Sequence, residues 1–268
     1  MDEIVGHYSG ASECDRLTSG IGLLERERTL EILARFLPEP PAMILDVGGA
    51  AGVYAFPLVE RGYRVRLIDL TPLHVEQARQ SVPANRHAFF EAEVGDARML
   101  RFAEGSADGY LLLGPLYHLT DRAQRIAALS EARRILRPGG TLVAAAITRF
   151  ASLLDGLARG FIEDSQFLEI LQNDLINGQH RNPTSNPAYF TTAYFHRPDE
   201  LETEVAEAGF QNALVLAVQG PGWLRKDFEQ SWHTAAEREK LLALIRAVEG
   251  ERSLLSVSPH IIAVAKKI

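Results

Sequence analysis

The chain has 268 residues, 46% of them hydrophobic, and a formal net charge of -7, a size that suits one large domain or one domain with an insertion. The negative balance argues against broad nucleic-acid binding. The single cysteine, Cys14, excludes an intrachain disulfide framework and cysteine-rich zinc sites, and it suits a reducing cytoplasm.

The N-terminus, MDEIVGHYSG, is acidic and lacks an apolar signal segment, and no apolar run approaches membrane-spanning length. Glu25 to Phe36 predicts an amphipathic helix, ended by Pro38, Pro40 and Pro41. Residues 1–41 read as an N-terminal arm, with Tyr8, Arg16 and Arg28 as polar groups for a ligand or, equally, for solvent.

Met43 to Val47 predicts a buried strand, and the small-residue turn Asp46-Val47-Gly48-Gly49-Ala50-Ala51-Gly52 follows. A helix then runs to about Arg61, Gly62 stops it, and a second strand, Val65 to Ile68, ends in Asp69. Strand, turn, helix, strand and acid form a βαβ unit suited to an adenosine-bearing cofactor. The turn is a poor dinucleotide fingerprint, because G-x-G-x-x-G would place Ala50 second and Val53 third. Asp46 beside the turn disfavours a pyrophosphate, which seeks positive partial charge at a helix N-terminus. S-adenosylmethionine (SAM) carries an α-ammonium and a sulfonium and no phosphate, so a carboxylate there is favourable. Asp69 is placed to accept hydrogen bonds from the two ribose hydroxyls.

The runs DVGGAAG, LID at Asp69, GDA at Asp96 and LRPGG at Gly139-Gly140 resemble the class I SAM-dependent methyltransferases over roughly residues 42–147. Ala50 departs from that pattern, which often has Gly there. The resemblance implies an α/β, Rossmann-like αβα sandwich. Its sheet is seven-stranded and mostly parallel, with an antiparallel last strand. It also implies SAM contacts at Gly48, Gly49, Ala50, Gly52, Leu70, Asp96, Ala97, Leu113 and Gly114, and an arm that folds over the cofactor through Tyr8. Asp96 would meet the adenine amino group.

A helix from Thr71-Pro72 to Ser81 precedes a third strand, Ala88 to Val94. Ala107 to Leu113 is a fourth strand and leads into a loop, Gly114-Pro115-Leu116-Tyr117-His118-Leu119. Ligands of such sheets lie beyond the carboxyl ends of the strands, so Tyr117 and His118 are the candidate catalytic residues. An aromatic face or phenol oxygen stabilises a sulfonium, and an imidazole with a pKa near ~6.5 is a candidate base. Packing roles are the plain alternative for both. GPLYHL resembles a bacterial subgroup of the same family and differs from the N/D-P-P-Y motif of enzymes that methylate nucleic-acid amino groups.

Asp121 caps a helix to about Leu136, which Arg137-Pro138-Gly139-Gly140 ends, and Thr141 to Ile147 is a fifth strand, which closes a SAM-binding core at 42–149. Residues 150–196 are too long for a plain crossover. They predict helices at Ser152 to Gly160 and Ser165 to Asn177 and an extended segment at Tyr189 to Phe195. This stretch reads as a cap over the substrate site, its aromatics suited to a small organic acceptor, with His180 and His196 as further candidate bases. Residues 197–268 complete the sheet through a helix from Pro198 to Ala208, a strand from Ala213 to Val218, a long helix from Phe228 to Val248 and a last strand from Ser256 to Ala265.

The sequence thus predicts a cytoplasmic, metal-independent SAM-dependent methyltransferase of a small molecule, with no membrane and no nucleic-acid partner and an open oligomeric state. Two alternatives remain: an NAD(P)-dependent oxidoreductase on a similar sheet, and a SAM-binding protein without transfer activity.

Overall fold

In a computed structural model that describes residues 16–184 and 186–268, the predicted βαβ unit is the centre of a seven-stranded sheet. The strands are β1 (Met43–Val47), β2 (Arg64–Asp69), β3 (Phe90–Val94), β4 (Ala107–Leu112), β5 (Leu136–Ile147), β8 (Gln211–Ala217) and β9 (His260–Lys266), with a short pair, β6 (Gln179–His180) and β7 (Ala193–Tyr194), apart from it. The order is β3-β2-β1-β4-β5-β9-β8. Strands β1 to β5 are mutually parallel, and β9 is antiparallel to both β5 and β8. This is the Rossmann-like sandwich with an inserted antiparallel last strand.

Burial follows position in the sheet. β1 and β4 are almost wholly buried, as strands covered on both faces must be. β3 lies at an edge and alternates, with Phe90 and Ala92 inward and Glu91 and Glu93 outward. One face packs on α5 (Arg122–Ile135) and α8 (Pro198–Glu207) through Leu129, Ala132, Leu201 and Val205. The other packs on α1 (Gly22–Phe36), α2 (Ala55–Glu60) and α3 (Pro72–Ser81) through Leu33, Leu58 and Val75. Asp121 caps α5 as expected, accepting from the backbone N–H of Ala123 and Gln124. Thr71 precedes α3 in extended backbone but makes no side-chain cap bond.

Four local readings change. GPLYHL is a single helical turn, α4 (Pro115–His118), not a loop. Leu136 leaves α5 directly into β5, so the RPGG stretch belongs to that strand. Tyr189 to Phe195 is not one extended segment: Pro187–Tyr189 form a 3-10 turn, and Ala193–Tyr194 pair with Gln179–His180. The long helix from Phe228 divides into α9 (Phe228–Trp232) and α10 (Ala235–Val248), because Thr234 takes extended backbone between them. The inserted stretch also holds α6 (Ala151–Arg159) and α7 (Ser165–Asn177).

Arg28 is not a ligand-facing group. It is fully buried and donates to the Val218 carbonyl at 3.3 Å. It also pairs with Glu31 and with Glu249 at the end of α10. The arginine clips α1 across the β5-β9-β8 side of the sheet.

Candidate functional site

A cavity opens at the carboxyl edge of the parallel strands, and most of the predicted residues line it: Asp46, Gly48, Gly49, Ala50, Asp69, Leu70, Asp96, Ala97, Leu113, Gly114, Tyr117 and His118. Gly52 does not line it; its N–H donates to the Gly49 carbonyl at 2.9 Å and closes the turn. Tyr8 lies outside the described residues.

The turn is shaped by close approach. Gly48 has φ +76°, and a Cβ there would stand 2.4 Å from Pro115 Cδ. A Cβ at Gly49 would stand 2.7 Å from Asp46 Oδ2. Ala50 keeps a left-handed backbone, φ 46°, a conformation that glycine adopts at lower cost. Its N–H donates to Asp69 Oδ2 at 2.9 Å.

Electrostatics separate the three acids. Asp46 is 1% exposed, and neither carboxylate oxygen has a hydrogen-bond partner among the described residues. Burial, and next the charge of Asp69, push its pKa up to about 7. A buried carboxyl left this way is stabilised by an incoming cation. Asp69 accepts from the Thr71 N–H at 2.8 Å and lies 3.2 Å from His74 Nδ1, so its carboxylate is held rigidly. Asp96 is gripped by Arg98, whose hydrogen bonds hold its pKa below the usual range.

This donor set suits SAM and not a diphosphate. Two carboxylates flank the turn, and the only Lys or Arg among the described lining residues is Arg16. Glu25 holds that guanidinium with two hydrogen bonds of 2.6 and 2.8 Å.

Tyr117 is buried, donates its hydroxyl to the Leu113 carbonyl at 3.3 Å and meets His118 edge-on at 4.7 Å. His118 Nδ1 lies 3.4 Å from the Thr192 carbonyl. Tyr117 packs with Ile147, Ala193 and Phe195. The inserted stretch therefore backs these two residues, but none of its described residues lines the cavity. Phe161, Phe167 and Tyr189 pack on one another instead, with ring centroids 5.0 to 5.3 Å apart.

His180 and His196 do not reach the cavity, which corrects their place as candidate bases. His180 is 1% exposed, with Nδ1 2.8 Å from Asp174 and Nε2 2.8 Å from the Tyr189 carbonyl. His196 is fully buried, with Nε2 3.2 Å from Glu204, and burial lowers its pKa.

Sequence reasoning missed the far wall: Leu17, Glu25 and Thr29 from the N-terminal side, Ala145 from β5, and Val218, His260 and Ile262 from the end of the chain. Only the antiparallel sense of β9 signals this, since it carries the strand's first residue to the edge where the parallel strands end.

Comparisons with known proteins agree with this geometry. Residues 45–144 match the family described as a methyltransferase domain. The ubiquinone/menaquinone biosynthesis C-methyltransferase UbiE of Paracoccus denitrificans is 35% identical over 133 residues, 48% of this chain and 50% of that protein. An O-methyltransferase of Pyrenophora dematioidea is 33% identical over 127 residues, 47% of this chain and 46% of that protein. The chain thus spans about half the length of the curated relatives it matches here. In fold it is similar to a SAM-dependent methyltransferase from Methanosarcina mazei, with TM-score 0.59, 18% identity and coverage of 88% of this chain and 97% of that one. Residues 45–144 thus match a methyltransferase domain, and the sheet order around them is that of the Rossmann-like fold.

Proposed function

We propose that this chain transfers the methyl group of SAM to a small organic acceptor. The observation that carries the proposal is Asp46: a buried carboxyl without a partner among the described residues, opening on a cavity that Asp69 also lines. Asp46 would meet the α-ammonium, Asp69 the ribose diol and Asp96 the adenine amino group. Leu70, Ala97, Leu113 and Gly114 would enclose the nucleoside and methionine parts. SAM, when bound, supplies a methyl group on a good leaving group, so displacement needs position more than acid-base help. The chain's part is to orient two reactants and exclude water. Tyr117 would stand near the sulfonium, and His118 would take a proton from an acceptor that has one to lose.

The small size of the acceptor is supported by the net charge of -7, which disfavours a nucleic acid, and by relatives named for quinone-biosynthesis C-methylation and for O-methylation. We assign residues 1–41 to an arm, 42–149 to the SAM-binding core, 150–196 to a cap that buttresses Tyr117 and His118, and 197–268 to completion of the sheet. The activity fits the reducing cytoplasm, and no described helix is long and apolar enough to cross a membrane.

Calorimetric titration tests the cofactor. S-adenosylhomocysteine is expected to bind in the micromolar range and NADH not at all, and Asp69→Ala is expected to weaken the first at least tenfold. Labelled-methyl transfer from SAM to a panel of phenols, amines and enols tests turnover. Tighter binding of NADH than of S-adenosylhomocysteine would overturn the proposal.

A further inference from the structure

This inference deepens the methyl-transfer reading, rests on it, and concerns the part of the cavity remote from Asp69. The strand order β3-β2-β1-β4-β5-β9-β8 lays the cavity out as a line. Asp96 follows β3, Asp69 ends β2 and Asp46 lies in β1, so a nucleoside held by these acids takes one half. The acceptor takes the half beside β5 and β9. Its floor is Ala145 of β5 and Ile262 of β9, with Val218 beside them. Leu17, Glu25 and Thr29 line it from the N-terminal side.

Strand register gives this half its depth. Ala145 is paired with Ile262, and the pair at the strand ends is Ile147 with His260. Opposed residues of an antiparallel pair share a face, and so do residues two apart on one strand. The floor therefore lies two residues, about 7 Å, inside the edge of the sheet. That face is the one on which α1 packs. Glu25, Thr29 and Leu33 stand in one row along α1 at four-residue spacing. The first two line the cavity, and Leu33 is packed in the core. The half is thus a slot between the start of α1 and the sheet. It opens at the edge and is closed at Ala145, the smallest side chain of the row Val143, Ala145 and Ile147 on this face of β5.

The charges beside the slot are already matched. Glu25 accepts from both terminal nitrogens of Arg16, at 2.6 and 2.8 Å, and from Gln219 Nε2 at 3.3 Å. Its Oε2 also lies 3.4 Å from His260 Nδ1. A cationic acceptor would have to displace these partners from Glu25, and an anionic one would have to take Arg16 from it. Burying a charge without a partner is costly, so an uncharged body is the one this half accepts.

We propose that the slot takes the body of an uncharged, apolar acceptor one ring long, such as a phenol or an enol. Its far end stands on Ala145 and its polar atom lies at the sheet edge, on the side of Tyr117 and His118. Ala145 is the specificity-determining residue: its methyl group sets the length that fits.

The test is calorimetric binding to the full chain saturated with S-adenosylhomocysteine. The probes are p-cresol, 4-ethylphenol, which is one carbon longer, and two charged rings, benzoate and benzylammonium. Wild type is expected to bind p-cresol at least about tenfold more tightly than either charged ring. It should also prefer p-cresol to 4-ethylphenol. Ala145→Leu fills the slot and should weaken p-cresol at least about tenfold. Ala145→Gly lengthens the slot by one carbon and should reverse the preference in favour of 4-ethylphenol. Affinity for S-adenosylhomocysteine should stay within about twofold of wild type in both variants, because Ala145 is remote from the acids of the nucleoside half. Should Ala145→Leu fail to fold, seen as loss of S-adenosylhomocysteine binding, Ala145→Gly decides the matter. Wild-type affinity for p-cresol in a folded Ala145→Leu, an unchanged preference in Ala145→Gly, charged rings bound as tightly as p-cresol, or no binding of p-cresol to the loaded wild type overturns this inference alone. Failure of wild type to bind S-adenosylhomocysteine overturns the cofactor assignment and this inference with it.

Discussion

Asp46 holds a proton in the folded chain over a pH range in which the unfolded chain has released it. Its pKa is about 7 by burial and by the charge of Asp69, against an ordinary value near ~3.9. The folded state therefore binds more protons between those values, and stability falls as pH rises through the interval. A cation beside the carboxyl reverses the preference, because it favours the ionised form. Two outcomes follow from the same group. Affinity for S-adenosylhomocysteine should increase as pH rises from 6 to 8, with proton release visible as a dependence of the calorimetric heat on buffer. Asp46→Asn should lose that pH dependence, bind more weakly, and be more stable than wild type in the free form at pH 8 but not at pH 4. An Asp46→Asn variant with the wild-type pH profile would remove Asp46 from the cofactor site.

At the level of elements, the βαβ unit was legible because short-range chemistry specifies it. An apolar run, a small-residue turn and an acid at a strand end leave few alternatives, and the register Asp46 to Leu67 and Asp69 to Val94 follows. The far wall was not legible. Val218 and His260 reach α1 only through contacts 190 or more residues apart in sequence, such as Arg28 to Val218 and Glu25 to His260, and no local pattern encodes those. The cap histidines misled for a related reason. His180 and His196 sit among aromatics in the sequence, but Asp174 and Glu204 claim them in the interior. Arg28 shows what such long-range anchoring contributes. Removing one partner of a buried ion pair leaves uncompensated charge. Arg28→Ala should therefore destabilise the chain by about 3 kcal/mol in urea unfolding. The double replacement Arg28→Met with Glu249→Leu should recover much of that loss. Because α1 supplies Glu25 and Thr29 to the cavity wall, the single variant should also slow methyl transfer while keeping its affinity for S-adenosylhomocysteine.

Across the whole molecule, acid groups tie together parts of the chain that share no local contact. Glu204 on α8 receives the Arg125 guanidinium of α5 at 2.7 to 3.1 Å and faces His196, where the inserted stretch rejoins the core. Arg125 also lies 3.7 Å over the Tyr194 ring and donates to the Leu119 and Thr120 carbonyls, just beyond Tyr117 and His118. One buried cluster thus sets the position of the cap, α5 and the cavity mouth. Burial would raise the Glu204 carboxyl, but hydrogen bonds from His196 and Arg125 bring it down to about 2. A depressed carboxyl adds stability that is complete above its unfolded value, near ~4.3, and is lost as pH falls toward the folded one. Allowing for partial solvent screening, the contribution is about 2 kcal/mol. Glu204→Gln should therefore be less stable than wild type at pH 7 by about that amount or more, since Arg125 loses its counter-charge. Its urea midpoint should change less than that of wild type between pH 4.5 and pH 2. The cluster also backs the cavity mouth without touching the acids of the nucleoside half. Glu204→Gln should accordingly slow methyl transfer while leaving the affinity for S-adenosylhomocysteine within about twofold of wild type. An equal loss in both would mean that the cluster supports the entire sheet edge and not the acceptor side alone.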